Sequence, residues 1–184
     1  MDASESSDEE LVARVVAGES TAAFETLVRR HQSKVRNWLR QLTRDPARAD
    51  DLAQETFIRA WQSLRTFEGR GKFASWVMKI AFNSFLQARR RPDSGPTVEF
   101  TERHDDVVVP FLESPDVDKM LAVLATDERH VMILCYAHGM SHGDVSEVLD
   151  IPLGTVKSHA QRAKTKIRER FRIEAPEARR ARRG

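Results

Sequence analysis

The chain has 184 residues, 32% of them charged and 40% hydrophobic, and a formal net charge of +2. That balance belongs to a soluble globular protein and excludes a disordered or membrane-embedded chain. Glycine and proline are sparse (8 and 7) and β-branched runs are few. The expectation is an all-α fold, with length for one ordinary domain or two small ones.

The small net charge conceals a gradient. "MDASESSDEE" carries five acidic side chains and no basic one, whereas Lys157 to Gly184 holds eleven Lys or Arg against three Glu. A basic end of this kind faces phosphate or forms a solvated tail, and for "ARRARRG" alone the solvated tail is the simpler reading. Cys135 is the only cysteine, so no intramolecular disulfide forms, in keeping with a reducing compartment. The acidic start has no signal-peptide core, and no stretch reaches the ~18 apolar residues of a membrane span. A cytoplasmic protein with no direct membrane insertion is expected.

Taken in chain order, Ser7 with Glu10 makes a capping box ahead of Leu11, Val12, Val15 and Val16 at helical spacing, and Gly18 ends that helix. "STAAFETLVRRHQSKVRNWLRQL" places Phe24, Leu27, Val28, Val35, Trp38, Leu39 and Leu42 on one side of a second helix. Asp45 and Pro46 form an N-cap with proline at the first helical position. The third helix, "ARADDLAQETFIRAWQSL", has Leu52, Ala53, Phe57, Ala60, Trp61 and Leu64 at core spacing. "FEGRGKF" is a glycine-containing loop, and "ASWVMKIAFNSFLQARRR" is a fourth helix stopped by Pro92.

From Pro92 to Asp118 the helical period is lost, and four prolines and eight carboxylates accompany a single Arg. The stretch reads as an acidic flexible linker between two domains. Helices resume after Asp118 with "KMLAVLA", then "DERHVMILCYAHG" capped by Thr126, then "HGDVSEVL", then the basic stretch "IPLGTVKSHAQRAKTKIRER". Short helices joined by tight turns form a helix-turn-helix layout. The expected organisation is a first domain over 8–91, a linker over 92–118, a helix-turn-helix domain over 119–172 and a basic tail over 173–184.

The basic stretch suits a solvated surface, an acidic membrane or a DNA groove. Ser141 with Asp144 caps the first helix of the pair, Asp150 takes a left-handed turn position, and Pro152 stops that helix from running on. Thr155 and Val156 start the second helix, whose N-terminal residues reach base edges in the major groove in such a motif. Those positions hold Thr155, Lys157, Ser158, Gln161 and Arg162, with Lys164 continuing the basic face. The helix has no broad apolar face to insert into a membrane, so DNA is the better reading, with a protein-binding scaffold as its rival.

"DDLAQETFIRAWQSL", "FEGRGKFASWVMKIAFNSF" and "MSHGDVSEVLDIPLGTVKSHAQRAKTKIRERF" together resemble a bacterial extracytoplasmic-function sigma factor of the sigma-70 family, over about Asp8 to Phe171. On its own, the polar side of the third helix is a solvated face. The resemblance implies instead that it docks on the clamp helices of core RNA polymerase, through Asp51, Gln54, Glu55, Phe57, Arg59 and Trp61. It further implies a contact with the polymerase flap. It implies that Arg70 and Lys72 of the loop, with Lys79, Asn83, Gln87 and Arg90 at helical spacing, read the promoter −10 element and hold a flipped base. Thr155, Lys157, Ser158, Gln161, Arg162 and Lys164 fall at the −35 element. A partner anti-sigma factor is also implied. Ser146 and Asp150 stand where the family usually has Ala and Gly, which predicts a slightly more open corner.

No nucleophile–base order, phosphate-binding loop or nucleotide fingerprint points to an enzyme, and no cofactor is expected. Cys135, His138 and His142 are the one metal-like set, interrupted by Gly139, and a buried Cys135 with exposed histidines is the simpler reading. The remaining functional alternative is a two-domain helix-turn-helix regulator that binds its operator independently of polymerase.

Overall fold

The computed structural model describes residues 6–18, 20–67, 72–90 and 115–171. All regular structure among them is helical, and the chain divides into two compact units. The loop residue Arg70, the linker up to residue 114 and the basic tail lie outside the described residues.

The first unit contains α1 (Asp8–Val16), α2 (Thr21–Thr43), α3 (Pro46–Ser63), a short 3-10 turn (Leu64–Thr66) and α4 (Phe73–Arg90). Its helices start where local chemistry supplies acceptors. The Ser7 hydroxyl accepts from the Glu10 N–H at 3.2 Å while Glu10 accepts from the Ser7 N–H at 2.9 Å. Asp45 Oδ1 accepts from the N–H groups of Ala47 and Arg48, with Pro46 opening the helix. A cap of this kind contributes about 1 kcal/mol, whereas each large buried side chain contributes about 1.5–3 kcal/mol. Caps therefore set where helices begin, and burial of Leu27, Val35, Trp38, Leu39, Phe73 and Val77 holds them together.

Helix α2 is the spine of this unit, with α1, α3 and α4 each packed on it. Asp8 fastens α1 to α2 by pairing with Arg30 at 3.0 Å and with the buried His31 at 2.6 Å. The His31 ring in turn lies 5.2 Å from that of Phe73, which continues through Trp76 to Phe67 as one aromatic cluster. Phe73 is buried and Trp76 half-buried, as core anchors should be.

The second unit holds α5 (Pro115–Ala122), α6 (Thr126–Met132), the greater part of α7 (His142–Leu149) and α8 (Leu153–Phe171). Helix α6 runs on as a π-helical turn over Ile133–Ala137. Three starts differ from expectation. Helix α5 begins at Pro115, because a proline is preorganised for the first helical position and Asp116 and Asp118 suit the positive end. Thr126 is not the cap of α6: Ala125 is, and Glu128 reaches back to its N–H at 3.1 Å. Helix α8 begins at Leu153, not Thr155, because the Pro152 carbonyl already accepts from the Thr155 and Val156 N–H groups.

The corner between α7 and α8 follows its local signals. Ser141 and Asp144 form the capping box, and Asp150 sits at φ 55°, the left-handed conformation expected of it. The Ser146 hydroxyl donates to the Ile151 carbonyl at 2.6 Å, so the serine expected to loosen the corner carries a hydrogen bond across it. Val156, Ala160 and Ala163 are the buried stripe of α8, which packs on α6.

Candidate nucleic-acid interface

Three surfaces carry the residues singled out in the sequence. The first is a groove of about 600 Å³ between α2 and α3. Asp51, Gln54, Phe57 and Trp61 line it together with Ala53 and Ile58 from α3 and Phe24, Val28, Gln32 and Arg36 from α2. Phe57 is 9% exposed, while Trp61 and Ile58 remain 45% and 51% exposed. Trp61 is therefore not the core residue its spacing implied. It meets Phe24 edge-on at 5.0 Å and leaves one side open to the groove. Asp50 forms a charged rim with Arg36 at 3.0 Å and Arg40 at 3.5 Å.

An apolar floor with exposed aromatic and aliphatic anchors inside a polar rim is the anatomy of a protein-docking surface. The contribution of α2 was missed in the sequence. Val28, Gln32 and Arg36 recur every four residues on one stripe, and that periodicity was the available signal.

Glu55 and Arg59 do not line the groove. They stand on the side of α3 that meets α4, where the Arg59 guanidinium joins Glu55 to Gln87 of α4. Arg48 also reaches α4, donating to the Ala88 carbonyl at 3.3 Å.

The second surface is α4 itself. Asn83, Gln87 and Arg90 are exposed and Lys79 is half-buried, and all four share one helix face. Lys72 is exposed just before the first turn. Unpaired bases are commonly held by such amide and cationic side chains.

The third surface is the start of α8, where Lys157, Ser158, Gln161 and Arg162 are exposed and Thr155 is half-buried. The Ser158 hydroxyl donates back to the Gly154 carbonyl at 2.9 Å, which leaves its oxygen as an acceptor. Arg162 is braced by His159 at 3.0 Å and by Glu128 at 3.5 Å. Lys164 is half-buried with its ammonium 5.7 Å from the centre of the Tyr136 ring, a cation–π contact within its own unit.

Glu128 is the charged residue that sequence reasoning passed over. It is buried beneath α8, where Lys166 donates to it at 2.8 Å. Burial alone would raise its pKa; the hydrogen bonds from Lys166 and the Ala125 N–H, with the charges of Lys166 and Arg162, outweigh that and hold it below the ordinary value. Cys135 is half-buried, and burial pushes its thiol up against the smaller opposing effect of Lys164. A thiol shifted this way is not activated. Among the described residues no group of three or more His, Cys, Asp or Glu is placed to hold a metal ion, and no helix is long and apolar enough to cross a membrane.

A family model for Sigma-70 region 2 matches residues 27–94, and one for Sigma-70 region 4 matches residues 115–167. The chain is 33% identical over 177 residues to the RNA polymerase sigma-H factor of Pseudomonas aeruginosa, covering 87% of this chain and 91% of the relative. It is 33% identical over 183 residues to the ECF RNA polymerase sigma-E factor of Haemophilus influenzae, covering 89% and 95%. Among solved structures, CnrH in complex with the cytosolic domain of CnrY superposes with a TM-score of 0.66 at 26% identity, covering 95% of this chain and all of that one. The sigma factor RpoE of Bartonella quintana, in complex with the anti-sigma factor NepR, gives 0.63 at 26% identity, covering 83% and 98%. With both halves matched in order and relatives similar over nearly their whole length, this chain belongs to the extracytoplasmic-function sigma factors of the sigma-70 family.

Proposed function

We propose that the chain directs core RNA polymerase to promoters and helps open them. The domain over 8–91 docks on the polymerase clamp helices through the α2–α3 groove, with Asp51, Gln54 and Trp61 as its main contacts and Phe57 supporting the floor. The exposed face of α4 reads the −10 element through Lys79, Asn83, Gln87 and Arg90, with Arg70 and Lys72 on the phosphates. The second domain, which begins with α5 and also meets the flap, presents Thr155, Lys157, Ser158, Gln161 and Arg162 to the −35 major groove. Lys164, held over Tyr136, sits farther along the same helix, toward the DNA backbone.

The physical logic is differential binding. Unstacking and flipping a base costs about a few kcal/mol. Polar contacts to the displaced base offset that cost, and the factor needs no catalysis of its own. Two DNA-reading modules joined by a linker that ends where α5 begins at Pro115 gain effective concentration on a promoter that carries both elements. The sigma factor RpoE, solved with the anti-sigma factor NepR, supports an anti-sigma factor that holds this chain inactive in the cytoplasm.

The single observation that carries this reading is the occurrence, in order along one chain, of the two sigma-70 regions. The test is co-elution of the purified protein with bacterial core RNA polymerase at moderate salt, beside the double variant Asp51→Ala with Trp61→Ala. A one-to-one complex for the wild type, lost in the variant, is expected. Duplex promoter binding by the protein alone, without any association with polymerase, would overturn the reading in favour of an ordinary helix-turn-helix regulator.

A further inference from the structure

Arg59 and Gln87 are 28 residues apart, on different helices, and their side chains meet at 2.7 Å, with Arg59 Nη1 donating to Gln87 Oε1. The second terminal nitrogen, Nη2, is held by Glu55 one turn earlier on α3. The guanidinium is therefore fixed at both prongs. Its nitrogens are donors only, so the carboxamide atom facing it has to be the oxygen. Turning the amide over would set N–H against N–H. The Nε2 donor of the exposed Gln87 is thereby turned away from Arg59 and left for a partner from outside.

We propose that Arg59 is a positioning residue that fixes which edge of the Gln87 carboxamide faces promoter DNA, and so sets base preference at one −10 position. This rests on the proposed reading of α4 as the −10 helix. A glutamine free to turn offers either a donor or an acceptor. At a −10 position that is still base-paired when it is read, one locked with its N–H₂ outward favours bases with an acceptor edge in the major groove, guanine (O6, N7) or thymine (O4), and disfavours cytosine, whose edge offers the N4 donor. Adenine, with one group of each kind, falls between. Arg59 thus acts on DNA through Gln87.

The lock also touches the polymerase side. Glu55 and Arg59 share α3 with Asp51, Gln54 and Trp61 of the groove. The helix that presents the docking groove is the one that orients a DNA-reading side chain on its neighbour.

The test uses reconstituted holoenzyme and a library of duplex templates randomised across the −10 and −35 regions, with sequences recovered from open complexes. The readout is a ratio of bases at each position, so a lower yield of complex does not obscure it. For the wild type, one −10 position should favour G and T over C, and Gln87→Ala should flatten it. Arg59→Met should raise the C share at that position by about three- to tenfold, the effect of freeing one hydrogen bond, with the −35 preferences unchanged. The double variant should match Gln87→Ala alone.

Gln87→Glu, which keeps a partner for Arg59 and replaces the outward donor by an acceptor, should turn the preference towards C. If Arg59→Met leaves discrimination against C at the wild-type level, or Gln87→Glu retains the preference for G and T, the proposal is overturned while the reading of α4 survives. If Asn83→Ala and Gln87→Ala both leave every −10 preference unchanged in a holoenzyme that still forms, the reading of α4 itself fails and the proposal falls with it.

Discussion

The Glu128 carboxylate, 4% exposed, accepts a hydrogen bond from Lys166 at 2.8 Å, and Lys166 itself remains 44% exposed. This asymmetric pair ties α6 to α8, the helix that carries the residues proposed to read the −35 element. Removing Lys166 leaves a buried carboxylate with a weaker set of partners. Removing Glu128 frees a cation that can return to water.

Lys166→Met is therefore expected to destabilise the second unit by about 1–3 kcal/mol, and more than Glu128→Gln does. Chemical denaturation followed by circular dichroism gives both values.

The same carboxylate predicts a pH dependence. Its folded pKa lies below the ordinary value of 4.5, because the Lys166 and Ala125 hydrogen bonds and the charges of Lys166 and Arg162 outweigh the opposite effect of burial. A depressed folded pKa contributes stability that is fully present above the unfolded value and lost as pH falls through the folded one. Wild-type stability should fall below about pH 4.5 more steeply than that of Glu128→Gln, in thermal melts between pH 3 and pH 7. Parallel curves for the two proteins would refute this.

Asp8 pairs with both Arg30 and the buried His31. Asp8→Asn should cost about 1–2 kcal/mol and loosen α1 first. In hydrogen-exchange measurements, protection in residues 8–16 should fall while the buried backbone of α2 around Val35 and Trp38 keeps its own.

Phe57 and Trp61 lie one turn apart on α3 and line one groove, yet their burial differs. Phe57→Ala should cost about 3 kcal/mol of stability. Trp61→Ala should leave the fold intact and weaken polymerase binding by about 30-fold or more, as loss of an exposed aromatic anchor does. Equal loss of stability in the two variants would show that the groove has been misassigned.

Asp150 adopts φ 55° with no glycine to relieve it. Asp150→Gly should be neutral or stabilising by up to about 1 kcal/mol, and Asp150→Val destabilising by about 1–2 kcal/mol, because a β-branched side chain strains the left-handed region. Thermal midpoints of the two variants bracket the wild type if this holds.

Much of the local architecture was legible without coordinates. The capping boxes at Ser7–Glu10 and Ser141–Asp144, the Asp45–Pro46 start and the left-handed turn at Asp150 all depend on groups within a few residues of each other. A side chain reaching the backbone three positions on needs no tertiary partner, and so the pattern is readable along the chain. The misplaced starts of α5, α6 and α8 have the same explanation from the other side. There Pro115 and Pro152 shape the first turn through the backbone, and at Ala125 the cap comes from Glu128.

The surfaces were a different matter. Period alone placed Trp61 with the core, since helical spacing says which residues share a face but not how far a neighbouring helix covers it. Packing decides that coverage: Phe57 is buried, whereas α2 covers Trp61 on one side only, through Phe24, and Ile58 stays exposed. The Arg59–Gln87 and Glu128–Lys166 pairs join residues 28 and 38 positions apart. Their partners are brought within reach only when α3 lies on α4 and α6 on α8. By itself the sequence determined helix content, most helix ends and the family; the tertiary structure alone decided which distant side chains are committed to each other, because a hydrogen bond of under 3 Å between distant residues requires that packed helices first fix both ends.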